Sequence, residues 1–392
     1  MSDSLARYRV LAAGIFSIML CLGIARFAYT PMLPLMQDQA GLGMAGGGWL
    51  AAINYLGYLI GAVTASLIGD PYLKDRLYRA GLLLAILTTL MMGLADHFWV
   101  WAVSRFLAGL SSAGALLLGS GLILNWLIRH DHRSELGIHF SGVGLGIAFG
   151  AIAVEWSAQS LAWSEQWWLL TGFAIVLAIP AWIWLPPPDT RAISHGGNPM
   201  LDRPPGPTFL RLFIAAYFCA GVGYVISATF IVAIVNRMPE LHGQGWLSFF
   251  IIGLAAAPAC IFWDRVARRV GELNALIAAG AVQILSILLP VLSPTLTVTL
   301  LGSVLFGGTF IGIVSLVLTM AGRYYPTRPA KMMGKMTISY GVAQIAAPAL
   351  TGQIARYGGG YADGLYLAAA VMALGTTLLL VLKTLESNRD AL

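Results

Sequence analysis

Charge is what this sequence is short of. Only 10% of its 392 residues are Asp, Glu, Lys or Arg, 58% are hydrophobic, and the mean hydropathy is +0.79. Soluble globular chains carry about a quarter charged residues, so that class is excluded. Cysteine is scarce too. Cys21, Cys219 and Cys260 all fall inside apolar runs, where thiols behave as small hydrophobes, so neither a disulfide framework nor a metal-ligand set is available. The alternation of polar and apolar residues that marks a membrane β-barrel is missing, because the apolar runs are continuous. There is no Walker loop, and His130 and His132 lack further ligands at metal spacing. No set of nucleophile, base and metal ligand gathers at one depth. An enzyme, an ATP-driven pump and a bound cofactor or metal are therefore not expected, and no residue is assigned a catalytic role.

What is present is a series of apolar runs, each near the roughly 20 residues that cross a hydrocarbon core as a helix. They predict an all-α integral membrane protein with twelve transmembrane helices, at 8–36, 48–69, 77–95, 98–127, 136–158, 167–185, 208–235, 246–263, 273–292, 296–321, 332–356 and 361–383. The first run resembles a signal peptide at its start, but it continues without a clear cleavage site and reads as a retained span. With the N-terminus placed in the cytoplasm, 19 of the 23 Lys and Arg fall on cytoplasmic segments. Arg237 and Arg356 fall outside, and Arg26 and Arg105 within spans. This asymmetry predicts cytoplasmic termini, and it attributes the net charge of +6 to membrane topology rather than to nucleic acid.

The longest polar interruption, "PPPDTRAISHGGNPMLDRPPGP", divides the chain into a first bundle over 1–185, a cytoplasmic linker over 186–207 and a second bundle over 208–392. A weak internal repeat supports the division. Gly109 and Gly114 match Gly307 and Gly312 at an offset of 198, Asp70 matches Asp264 at 194, and Gly137 matches Gly334 at 197. Six spans per half give both halves one orientation, a parallel 6+6 repeat.

Four stretches carry a family resemblance. "DRVARR" at 264–269 resembles the major facilitator loop pattern D-[RK]-x-G-R-[RK], with Ala267 in place of the glycine, while "SLIGDPYLKDR" at 66–76 keeps only Gly69 and Asp70 of it. "RFLAG" at 105–109 is similar to the R-x-x-x-G element of the superfamily's fourth span, and with "RFAYTPMLP" at 26–34 the chain resembles the YbfB/YjiJ branch. The resemblance implies the major facilitator fold: two six-helix bundles rocking about a central cavity, with spans 1, 4, 7 and 10 lining it. It also implies a gating role for Asp70, Asp264, Arg265, Arg268 and Arg269. The physical counterpart is an aspartate set against a positive helix N-terminus, of span 11 for Asp70 and of span 5 for Asp264. The alternative is an ordinary solvated charge run.

Arg26 is the most informative residue. It precedes Pro34 by about 12 Å of helix, and a mid-span arginine costs about 2.5 to 3.5 kcal/mol on insertion scales. Either it presents a fixed charge to a substrate or it belongs to an ion pair. Glu155 is the acid at membrane depth in that half, and it could serve Arg26 or Arg105. Tyr29, three residues on, is expected on the face of Arg26. Substrate contacts are assigned to Arg26, Tyr29, Asn54, Tyr58, Tyr224, Tyr340 and Gln344; Tyr55, Tyr217 and Asn125 are further polar groups within spans. Arg105, Glu155 and His139 are the candidates for an ion pair or proton coupling. "GVGLGIAFG" at 142–150 has no strand before it, so helix packing, not dinucleotide binding, is expected there.

The resulting expectation is a multi-pass transporter of a bacterial inner membrane, monomeric, moving a small organic anion or amphiphile by alternating access with export favoured, and the resemblance implies that it is proton-coupled. Uptake symport, uniport and a non-transporting membrane sensor are the alternatives. Its partners would be the substrate, protons and the bilayer.

Overall fold

The computed structural model describes residues 3–130, 132, 136–188, 205–324, 330–358 and 360–390. The chain divides into two compact units, Met1–Gly197 and Asn198–Leu392. Most of the 186–207 linker lies outside the described residues.

The first unit opens with α1 (Asp3–Ile18), which runs without a break into a π-helical segment, Met19–Phe27. After Ala28 the chain continues as α2 (Tyr29–Ala40). Then come α3 (Met44–Leu67), α4 (Pro71–Leu94) and α5 (Phe98–Ala113). A second π segment, Gly114–Gly119, follows α5 and leads into α6 (Ser120–Arg129). Helices α7 (Leu136–Ala158) and α8 (Trp163–Ile183) complete the unit.

The second unit contains α9 (Pro207–Arg237), a 3-10 turn at Pro239–Leu241, α10 (Gly245–Ala256) and α11 (Ala259–Val270). It ends with α12 (Glu272–Leu292), α13 (Leu296–Tyr324), α14 (Ala330–Gly358) and α15 (Ala362–Asp390). Among the described residues every regular element is helical.

A helix stands in each of the twelve expected positions, but not all twelve qualify as spans. Among the described residues ten helices are long and apolar enough to cross a membrane, or eleven if α10 and α11, which pass together across a 49° bend, are counted as one span. The bend falls at Pro258, which has no N–H for the helical ladder and whose ring crowds the preceding turn. Helix α14, in the place of the expected span 332–356, is not among them. Lys335, Gln344, Gln353 and Arg356 thin its apolar content.

Local chemistry sets the ends. Gly41 closes α2 in the left-handed region at φ 68°, which glycine adopts without strain. Asp70 starts α4: its two carboxylate oxygens accept the Tyr72 and Leu73 N–H groups at 3.2 and 3.0 Å, with Pro71 at the first helical position. At the far end of the unit, Arg79 takes one carbonyl in the last turn of α8 and one just past it. Its Nη1 and Nη2 donate to Trp182 and Leu185 at 2.8 and 3.0 Å, and its Nε pairs with Asp75 at 3.0 Å.

Small residues bring the helices together. A Cβ on Gly109 would lie 2.0 Å from the Asn54 carbonyl oxygen, and one on Gly57 2.0 Å from that of Phe106, so α3 and α5 meet backbone to backbone. In the second unit a Cβ on Gly307 would lie 2.2 Å from the Ile252 carbonyl oxygen, so α13 and α10 meet the same way. The repeat pair Gly109 and Gly307 thus performs one packing task in both halves. Gly142 and Gly146 of the "GVGLGIAFG" stretch press α7 against span 1. A Cβ on Gly146 would meet Gly23 Cα at 2.8 Å, and one on Gly142 the Ile15 carbonyl at 2.8 Å. These glycines serve helix packing, as their small size in a spanning helix suggests.

Candidate substrate site

The π segment of span 1 organises the polar interior of the first unit. A π turn bonds each carbonyl to the N–H five residues on, as Gly23 does to Ala28 at 2.9 Å. Two carbonyls of the segment also receive side chains from span 4. Arg105 Nη1 donates to the Ala25 carbonyl at 2.9 Å. Ser112 Oγ lies 2.8 Å from the carbonyls of both Cys21 and Ala108, so its one hydrogen is shared between the two helices.

Arg26 extends from this segment toward α3. Its guanidinium carbon lies 4.5 Å from the ring centres of both Tyr55 and Tyr58, and 5.3 Å from that of Phe27. Tyr55 and Tyr58 are three residues apart and so share one helix face. The arginine is 5% exposed, and the π faces around it attract its charge where water does not reach.

Tyr29, three residues on from Arg26, packs against the second arginine of the spans. Its ring lies 4.5 Å from the Arg105 guanidinium carbon, and its hydroxyl donates to the Gly47 carbonyl at 3.0 Å. Asn54 clamps helices together: its Nδ2 donates to the Arg105 carbonyl at 2.7 Å.

Arg105 and Glu155 are not brought together. The Arg105 guanidinium is held by the Ala25 carbonyl and the Tyr29 ring, while Glu155 is half-buried near the end of α7. His139 lies apart from both arginines. It is fully buried, with Nε2 2.9 Å from Ser120 Oγ and its ring packed on Gly14. The Ser120 hydroxyl also donates to the Leu116 carbonyl. Asn125 accepts from Arg129 Nε at 2.9 Å near the end of α6.

The predicted residues of the second unit gather on a ladder of rings. Tyr340 of α14 stacks on Tyr217 at 4.5 Å and on Tyr224 at 5.8 Å, and Tyr224 stacks on Phe310 at 5.1 Å. Phe306 continues the series 5.6 Å from Phe310. Gln344, one turn beyond Tyr340, is buried, and its Oε1 makes no hydrogen bond among the described residues. The phenylalanines and Tyr55 were not assigned to the site from sequence. The three-residue spacing of Tyr55 and Tyr58 was a usable signal, whereas Phe306 and Phe310 look like ordinary core.

The loop residues expected to act as gates are engaged locally. Asp70 caps α4, and Asp264 pairs with Arg268 at 2.8 Å within α11. Arg265 and Arg269 are exposed.

Comparison with known proteins agrees with this architecture. The family described as "Uncharacterised MFS-type transporter YbfB" matches residues 18–380. The MFS-type transporter YceJ of Bacillus subtilis is 24% identical, over 67% of this chain and 68% of its own. A gentisate transporter of Corynebacterium glutamicum is 22% identical, over 92% of this chain and 85% of its own. The crystal structure of the nucleoside transporter NupG shares the fold, with a TM-score of 0.70 and 12% identity over 97% of this chain and 99% of that one. The chain belongs to the YbfB family of MFS-type transporters.

Proposed function

We propose that this protein is a secondary transporter of small organic anions, aromatic carboxylates in particular, with Arg26 engaging the carboxylate. The observation that carries the reading is the placement of Arg26, buried at 5% exposure on a π segment with its guanidinium carbon 4.5 Å from both the Tyr55 and Tyr58 ring centres. A charge at that depth is retained at a cost, and a planar guanidinium held by two ring faces has little freedom left to lose on binding an anion. π segments inside α-helices are frequent at functional sites. The relative named a gentisate transporter supports the substrate class, gentisate being a hydroxylated aromatic acid.

The proposed mode is alternating access by a monomer in a bacterial inner membrane, with both termini cytoplasmic. Export coupled to protons is the working direction, and no catalytic step is involved. Asp264, Arg265, Arg268, Arg269 and Asp70 are proposed to act in gating, and Glu155 and His139 remain the candidates for carrying the proton.

Purified protein in proteoliposomes tests the reading with labelled gentisate and benzoate, a neutral sugar as control, and flux recorded in both directions with and without a pH gradient. Carboxylate flux that responds to the gradient is expected. Sugar flux without carboxylate flux would sink the anion assignment, and flux indifferent to pH would remove the proton. Binding of gentisate without any flux would favour a membrane sensor instead.

A further inference from the structure

The second unit contains a cavity of about 10 Å3 among α9, α10, α12, α13 and α15. Its polar lining consists of Ser227, Ser286 and Ser303, exposed by 3%, 2% and 2%. The Ser286 hydroxyl donates to the Gln283 carbonyl at 2.7 Å and the Ser303 hydroxyl to the Thr299 carbonyl at 2.9 Å. Both oxygens therefore keep lone pairs for a further donor. Ser227 Oγ has no hydrogen-bond partner among the described residues. Pro290 also lines the cavity, and it has no N–H to give the carbonyl four residues before it, that of Ser286. That carbonyl faces Gly302, where a Cβ would stand 3.0 Å from its oxygen and 3.3 Å from Pro290 Cδ.

We infer that this cavity is a binding site for one water molecule, which donates to the Ser286 carbonyl in place of the absent proline N–H and accepts from the Ser227 hydroxyl. Three observations converge on it. The cavity is close to the roughly 10–15 Å3 that one water needs. Buried waters typically hold two to four polar partners, and Ser227, Ser286 and Ser303 supply that number. Proline is tolerated in a spanning helix where some group, ordered water included, satisfies the carbonyl it frees. A cation would find only neutral oxygens here, and an uncompensated charge at this depth is far costlier than a hydrogen-bonded water.

X-ray radiolytic labelling of the full-length protein in nanodiscs, read by mass spectrometry, tests the site, because hydroxyl radicals arise where water is bound. Ile287 and Leu365 line the cavity at 2% and 1% exposure, and Phe230 and Phe249, at 0% and 1%, lie outside it as controls. The wild-type protein is expected to be labelled at Ile287 and Leu365 above the controls, and Ser227→Val, which fills the cavity with methyl groups, to lose that labelling. Background labelling at both residues in the wild type overturns the inference without recourse to any variant. Wild-type labelling that persists in Ser227→Val overturns it as well. A thermal midpoint that rises with Na+ against choline in the wild type, but not in Ser227→Ala, would replace the water with a cation.

Discussion

Arg105 Nη1 and the Ala25 carbonyl are 2.9 Å apart, so the charge of span 4 is committed to the backbone of the residue that precedes Arg26. Arg105 thereby fixes the π segment from which Arg26 extends, and it needs no carboxylate to do so. Arg105→Met should lower stability by about 1.5 to 3 kcal/mol, the range for a lost hydrogen bond from a charged donor. Because Glu155 is not its partner, Arg105→Met and Glu155→Gln should combine additively, within about 0.3 to 0.5 kcal/mol, in thermal unfolding of the purified protein. A coupling well beyond that margin would mean the two charges meet.

Arg26 should behave differently. If its fork holds a carboxylate, Arg26→Lys keeps the charge but loses one parallel bond, and Arg26→Met loses both. Gentisate affinity should fall in that order. A loss of about 1.5 to 3 kcal/mol per charged hydrogen bond corresponds to roughly ten- to a hundredfold at each step. Affinity measured on the folded fraction decides the matter, and wild-type binding by Arg26→Met would end the substrate role.

The repeat glycines make a steric prediction. Gly109→Ala and Gly307→Ala each place a methyl carbon within 2.0 and 2.2 Å of a carbonyl oxygen on the neighbouring helix, so the helices must separate. Each variant should lose at least the 1 to 3 kcal/mol typical of overpacking, roughly equally in the two units. Gly121→Ala, where a Cβ meets nothing within 4 Å, is the control, and its thermal midpoint should not fall.

The two loop aspartates separate structure from gating. Asp70→Ala removes a helix cap and should cost about 0.5 to 2 kcal/mol, while Asp70→Ser, which still caps, should restore most of it. Asp264→Asn breaks only an exposed ion pair with Arg268, of about 0.2 to 1 kcal/mol, so its melting curve should barely move. A large fall in turnover of Asp264→Asn at unchanged stability is the signature expected of a gate. Unchanged turnover would leave it a surface pair.

Much of the fold was legible because hydropathy is a local sum. Apolar runs of spanning length, polar breaks such as the one before Pro71, and a glycine pair repeated at an offset of 198 are all properties of neighbouring residues or of simple spacing. The bend at Pro258 and the weak apolarity of 330–358 were less visible, since a count of spans tolerates both. The depth of Arg26 was readable as well, for the same reason that the spans were.

The partners of the charged groups were not. Arg105 bonds to a carbonyl 80 residues away, and its guanidinium lies over the ring of Tyr29, which stands on another span. No local pattern announces a π turn; it is stabilised where side chains from another helix, here Arg105 and Ser112, reach its carbonyls. The sequence by itself determined a chain of apolar helices in two halves with an arginine at membrane depth. Only the tertiary structure decided what that arginine touches, because side-chain direction depends on acceptors and ring faces that other helices supply.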